Sequence, residues 1–169
     1  MIAALISLLY PPTCLLCSAP FSSSDEADQE VVCAPCRGRL PHVALPVCVR
    51  CGLTISGAFD AQVPCAGCRK RPPAFEMARA PWRYAGEGRR LIRQVKYHRQ
   101  WRLGRWLADG MAATARCAFP LDDGTAVVPV PTHWLKRRWR GGYPVGELAQ
   151  RVAAQLNKAY APKALRQER

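Results

Sequence analysis

No apolar run in this 169-residue sequence is long enough to cross a bilayer. The first, Ile2 to Tyr10, has nine residues, where a spanning helix needs about 20. That stretch lacks a basic flank and a small-x-small cleavage pattern, so it does not read as an export signal. It also lacks the Lys or Arg that would meet lipid phosphate at a membrane surface. The expected location is the cytoplasm, where thiols stay reduced. Acidic side chains are the second scarcity. Residues 69–169 hold seven Asp and Glu against 22 Lys and Arg, whereas residues 1–68 hold five acids against three Arg. A segment this short of acid carries a basic field, which favours polyanions, either nucleic acid or a phosphorylated metabolite. The plain alternative is a solvated face that aids solubility.

What the first part does have is cysteine. Eight of the nine fall in Cys-x-x-Cys pairs: Cys14/Cys17, Cys33/Cys36, Cys48/Cys51 and Cys65/Cys68, separated by 15, 11 and 13 residues. The turn between two such cysteines aims both sulfurs at one point, and four thiolates around one ion is the usual structural zinc arrangement. Eight cysteines therefore imply two zinc ions. Sequential pairing gives Cys14/Cys17/Cys33/Cys36 and Cys48/Cys51/Cys65/Cys68, two zinc ribbons in tandem; interleaved or nested pairing stays open. Four-thiolate sites also suit iron–sulfur clusters, although the even spacing across long loops favours ribbons. A disulfide framework would need an oxidising compartment. Ribbons of this size bury little, so metal binding is expected to supply much of their folding energy. The ninth cysteine, Cys117, has no neighbouring pair and reads as a buried structural thiol.

Around the cysteines, residues 1–12 read as a short apolar helix ended by Pro11-Pro12, and Ser22 to Glu30 as an acidic solvent loop. Leu40, Val43, Leu45 and Val47 are available for a small core between the ribbons. Gly52 and Gly67 place small residues at the knuckles, where the backbone needs room or a positive φ. A basic, proline-stiffened linker, Arg69 to Pro73, follows. Phe75, Met77, Trp82 and Tyr84 alternate loosely, as a strand or β-arm interrupted by Pro81 would. Leu91, Ile92 and Val95 share one side of a helix whose other faces carry Arg89, Arg90, Arg93 and Lys96, with Arg99 just beyond. Leu103, Trp106, Leu107, Gly110 and Met111 continue at amphipathic spacing; Trp106 reads as core, while Trp101 suits core or ligand platform. Asp122-Asp123-Gly124 is a turn. Residues 125–130 form a short apolar strand suited to the centre of a parallel sheet. Lys136, Arg137, Arg138 and Arg140 form a second basic cluster, interleaved with Trp134 and Trp139, which suits phosphate contact and base stacking. Val145, Leu148, Val152 and Leu156 give the buried stripe of a last helix.

The ordered set of these pieces resembles a known family. Cys14 through Cys68 is followed by Arg71-Pro72-Pro73-Ala74-Phe75, Arg83-Tyr84-Ala85-Gly86 and Leu91-Ile92-Arg93-Gln94-Val95-Lys96-Tyr97. Then come Val128-Pro129-Val130-Pro131 and Arg138-Trp139-Arg140-Gly141-Gly142-Tyr143, with Glu147-Leu148-Ala149 after them. In this order they resemble the ComF (GntX) family of bacterial competence-associated proteins. The resemblance implies a double zinc ribbon, β-poor and metal-stabilised (13–70), on a type I phosphoribosyltransferase-like α/β domain (74–169). In such a domain an Asp-Asp-x-x-Thr-Thr-Gly loop holds phosphoribosyl pyrophosphate beside magnesium, as an anion nest at a helix start. Family members are linked with uptake of single-stranded DNA.

No Asp-Asp-x-x-Thr-Thr-Gly segment occurs here, and Asp122-Asp123-Gly124 precedes its strand instead of following it. The catalytic half of such a domain is therefore expected to be missing, and the α/β domain incomplete. Three readings follow. The first is a non-catalytic or truncated protein that binds single-stranded DNA or another polyanion through the two basic clusters, in company with other competence or uptake proteins. The second is a phosphoribosyltransferase-type enzyme. The third is a zinc-ribbon interaction module, or a functionless remnant.

Overall fold

The computed structural model describes residues 11–21, 31–56, 63–98, 100–133, 138 and 142–167. The apolar stretch expected to be helical at residues 2–10 and the acidic insert at 22–30 lie outside the described residues.

The two cysteine units repeat bond for bond. In the first, the Cys14 N–H donates to the Ala19 carbonyl (2.8 Å) and the Ser18 N–H to the Cys14 carbonyl (2.7 Å). In the second, Cys48 donates to Leu53 (2.9 Å) and Gly52 to Cys48 (3.0 Å). An isolated antiparallel bridge closes each hairpin, Thr13 with Pro20 and Val47 with Thr54. The residue after each knuckle is left-handed, Ser18 at φ 64° and Gly52 at φ 69°. At Gly52 this is enforced twice, because a Cβ there would also run into the Ala78 carbonyl. The second half of each unit is one helical turn, α1 (Ala34–Gly38) and α2 (Ala66–Lys70). Cys33 and Cys65 stand at their N-caps, and Cys36 and Cys68 lie buried within them.

The first unit does not stand apart from the rest of the chain. Leu16, Val32 and Leu40 share one buried cluster with Leu91 and Val95 of α3 (Gly86–Tyr97) and with Leu103 and Leu107 of α4 (Trp101–Ala118). Their spacing explains this: Gly88, Leu91 and Val95 fall on one face of α3 while its arginines fall outside it. Glu87 in the first turn and Lys96 in the last both suit the helix dipole. α4 is two-sided. Leu103 and Leu107 face the shared cluster, while the small residues Ala108 and Ala112 pack with Val152 of α5 (Pro144–Leu156). Small side chains at a helix contact let the two axes approach closely. A bidentate pair, Arg151 to Asp109 at 2.8 and 3.2 Å, clips the outer edge of that contact. Pro144 begins α5, and Asn157 in the left-handed conformation ends it.

The second unit is held by the segment that follows it. Ala78 donates to the Arg50 carbonyl (2.7 Å), and the Arg79 guanidinium reaches the Cys48 carbonyl (3.3 Å). This corrects the expected β-arm at 74–84. The segment is irregular, and its one sheet-like contact is an isolated bridge between His42 and Trp82. Pro81 has no N–H to give a ladder, and Trp82 stacks on Trp106 with centroids 5.0 Å apart and planes at 9°. Trp106 thus packs against the core as its spacing predicts.

The expected strand at 125–130 is shorter. β1 (Ala126–Val127) pairs in parallel with β2 (Ala159–Tyr160) through the crossover helix α5, a single βαβ unit. Pro129 ends the pairing because it lacks a donor. The two strands form a two-stranded sheet among the described residues, so β1 is not the central strand that its composition predicts. Cys117 is also corrected. It is exposed, in the last turn of α4 and five residues past Ala112, the last buried residue of that helix. Among the described residues, no helix is long and apolar enough to cross a membrane.

Leu103 is fully buried where ribbon, α3 and α4 meet. Leu103→Ala is expected to cost about 2–5 kcal/mol. Urea denaturation of the zinc-loaded protein, followed by α-helical circular dichroism, checks this.

Candidate metal centres and basic face

The sulfurs converge in sequential pairs of knuckles. Those of Cys14, Cys17, Cys33 and Cys36 all lie within 4.8 Å of one another, and so do those of Cys48, Cys51, Cys65 and Cys68. The interleaved and nested alternatives are thereby excluded. Three contacts give the scale: Cys17 to Cys33 at 3.8 Å, Cys51 to Cys65 at 3.8 Å and Cys48 to Cys68 at 3.9 Å. Four sulfurs about 2.3 Å from a central zinc stand about 3.8 Å apart at the corners of a tetrahedron. The donor set and spacing fit two zinc ions, one per unit.

The backbone prepares each site for negative charge. N–H groups of Leu16 and Cys33 both donate to the Cys14 sulfur at 3.4 Å, and the Cys65 N–H donates to the Cys48 sulfur at 3.3 Å. Burial alone would raise these two thiols. The N–H groups outweigh it and bring Cys14 down to about 7 and Cys48 down to about 6. Their companions go the other way. Burial and neighbouring thiols push Cys36 up and carry Cys68 to about 12, and burial also raises Cys33 and Cys51. Each site thus offers one ready thiolate, while a metal ion must displace protons from the raised thiols.

The sites differ in their surroundings. The first lies in the shared core, and Arg39 directs Nη2 at the Cys36 sulfur, 3.2 Å away. A zinc ion held by four thiolates carries a net charge of about −2, which such a donor offsets. The second site is outside that cluster. Arg39 escaped the sequence reading, although its place three residues after Cys36, on the same helical turn, is a signal for it. Arg79, which holds the second knuckle by its carbonyl, is 31 residues from Cys48 and carried no such signal.

The basic residues singled out from the sequence are partly visible. Arg89, Arg90, Arg93 and Lys96 are all exposed on α3. The three arginines line a groove of about 260 Å³ together with Gly86, Gln94 and His98. Among the described residues, only Arg90 of these makes an ion pair, with Glu87 at 3.9 Å. Arg138 is exposed. Arg99, Lys136, Arg137 and Arg140 lie outside the described residues, as do Trp134 and Trp139. Trp101 is half-buried and lines a mixed cavity of about 530 Å³ between α4 and α5.

Comparison with known proteins agrees with the metal centres. The sequence model of the double zinc ribbon domain matches residues 5–69. The chain is similar to the DNA utilization protein YhgH of Salmonella typhi, 27% identical over 146 residues. It is also similar to the DNA utilization protein YhgH of Escherichia coli (strain K12), 26% identical over 146 residues. Each match covers 83% of this chain and 60% of the relative, so the chain spans about three-fifths of the length of the curated relatives it matches. No solved structure matches the chain significantly.

The geometry of the two sites is open to direct test. Cys14→Ser and Cys48→Ser should each lower the zinc content from two ions to one by native mass spectrometry. Cys14→Ser should also melt the helices that share its core, whereas Cys48→Ser should leave them folded. Zinc retention should fall with pH. Protons compete with the metal first at the raised thiols of each site, and below about 7 for Cys14 and about 6 for Cys48 the readiest thiolate is protonated as well. Dialysis at stepped pH, with elemental analysis of each sample, is expected to show both ions held at pH 8 and progressive loss across that window and below it.

Proposed function

We propose that this chain is a zinc-ribbon protein of DNA uptake and utilisation that holds single-stranded DNA through the arginine face of α3. Residues 13–70 form its metal head and residues 74–169 its polyanion-binding part. The observation that carries the reading is the groove of Arg89, Arg90 and Arg93, continued by Lys96 on the same exposed helix and opposed by one acid, Glu87. Guanidinium groups match phosphate oxygens two at a time. The marked excess of basic residues beyond position 68 supplies the long-range attraction. Arg138, which is exposed, and Arg99, Lys136, Arg137 and Arg140 are assigned to the basic surface by sequence. The name of the relatives, DNA utilization protein, supports a DNA-linked role, and other uptake or competence proteins are the natural partners. The reading asks for binding and no chemistry from the chain. The zinc ions serve as folding elements in this reading.

One observation favours a second reading. The parallel β1–α5–β2 crossover is the kind of unit from which α/β nucleotide-binding domains are assembled. It supports a phosphoribosyltransferase-like part that would use phosphoribosyl pyrophosphate and magnesium. Release of pyrophosphate from that compound by the purified chain would favour the enzyme over the binding protein.

Fluorescence anisotropy with a labelled oligothymidine, across a salt series, tests the first reading. Four phosphate contacts on a single strand give a slope of log affinity against log salt of about −3. Replacing Arg89, Arg90 and Arg93 together by Gln, which keeps helix propensity, should weaken binding at least about tenfold and flatten the slope by about 2. Zinc content and helical circular dichroism of the variant should stay at wild-type values. A wild-type affinity that is indifferent to salt, or a triple variant that binds as wild type, would overturn the reading.

A further inference from the structure

An arginine groove explains a grip on phosphate of any kind. It does not by itself separate a single strand from a duplex or an inorganic polyphosphate. The residue able to make that distinction stands beside it. Tyr84 lies two residues before α3, and its surface is 62% exposed. The Arg89 guanidinium sits over its ring, 5.6 Å from the centroid. Arg89 is at the same time a member of the basic groove. Tyr84 itself lines a second depression, an apolar hollow of about 460 Å³ shared with Trp82, Ile92, Met111 and Phe119. Its charged members are Arg79 and Arg83. The ring therefore stands where a phosphate-binding surface meets an apolar one, with a cation already fixed beside it.

That juxtaposition has a specific chemical match. A nucleotide chain is the polyanion whose charged groups alternate with flat apolar ones. Bases stack on aromatic rings with about 1–3 kcal/mol each, and an adjacent arginine adds to the contact. In a duplex the base faces are already stacked and hidden, so an exposed ring gains nothing from it. We infer, building on the reading above, that Tyr84 is a base-stacking platform for an unpaired strand. The phosphates run along Arg89 and Arg93, and a base lies against the Tyr84 ring at the mouth of the apolar hollow. Met111 and Phe119 give the hollow an apolar lining against which a base face can rest.

The test uses the full zinc-loaded chain and two labelled strands with the same number of phosphates, a 15-mer of thymidine and a 15-mer of abasic sites. The wild type is expected to bind the thymidine strand about tenfold more tightly. Tyr84→Ala and Tyr84→Leu should both remove this preference while leaving affinity for the abasic strand unchanged. Tyr84→Phe, which keeps the ring, should retain it. Equal binding of the two strands by the wild type, or an undiminished preference in both Tyr84→Ala and Tyr84→Leu, overturns the inference while the phosphate-binding reading stands. Arg93→Gln separates the two levels. It should weaken both strands alike, and if it weakens neither, the arginine-face reading fails as well. An equal loss on both strands in Tyr84→Leu would show that the ring only positions Arg89, which also overturns the stacking role.

Discussion

The contact on which the structure turns is the convergence of four thiolates at the first cysteine site. Leu16, Val32 and Leu40 hang from the segments that carry these cysteines, and the same three side chains complete the core of α3 and α4. Zinc coordination in small domains is worth about 10–16 kcal/mol near neutral pH, comparable with the whole stability of an ordinary domain. That free energy holds together a hairpin and a helical turn that bury few side chains between themselves. It also orders the surface onto which the helices pack. The arginine face therefore depends on the metal although no arginine of α3 touches it: α3 presents its charges outward because Leu91 and Val95 are held inward against the ribbon.

The two sites show how one local plan serves different surroundings. The backbone bonds of the knuckles match one for one, yet the first site is embedded and carries Arg39 on a ligand sulfur, while the second is braced by the loop at 74–79. In both, the first cysteine collects backbone N–H groups and becomes the readiest thiolate. This asymmetry arises because the sulfur of the first cysteine faces the N–H that opens the helical turn opposite it, Cys33 in one unit and Cys65 in the other, as well as amides of its own turn.

The metal sites were legible in the sequence because their information is local. A Cys-x-x-Cys turn aims its sulfurs wherever it occurs, and duplicated spacing pointed to two ions. Helices α3, α4 and α5 were legible for a similar reason: Leu91 and Val95, Leu103 and Leu107, and Leu148 and Val152 recur at the helical period. The pairing of knuckles was not settled, because it rests on contacts 14 to 20 residues apart. The loop at 74–84 misled, since its alternation reflects Trp82 turning in to stack on Trp106 and Ala78 pairing with Arg50, neither of which leaves a periodic trace. Cys117 misled because burial along α4 ends at Ala112, and only the tertiary packing shows where a helix outruns its neighbours. The apolar hollow at Tyr84 was invisible for the same reason, being built from three separate stretches of chain.

Ser18 and Gly52 occupy the same left-handed position in the two knuckles. A side chain in that conformation costs of order 1 kcal/mol, which glycine escapes. The costlier residue sits in the unit that is wedded to the helical core, and the permissive one in the unit that stands outside it. At Gly52 a side chain would also collide with the Ala78 carbonyl, so the latitude for sequence drift is inverted between the two copies. The embedded ribbon can absorb an unfavourable turn because its neighbours hold it in place. The outer ribbon has little room for any residue but glycine there, because the carbonyl of the bracing segment stands where a Cβ would go.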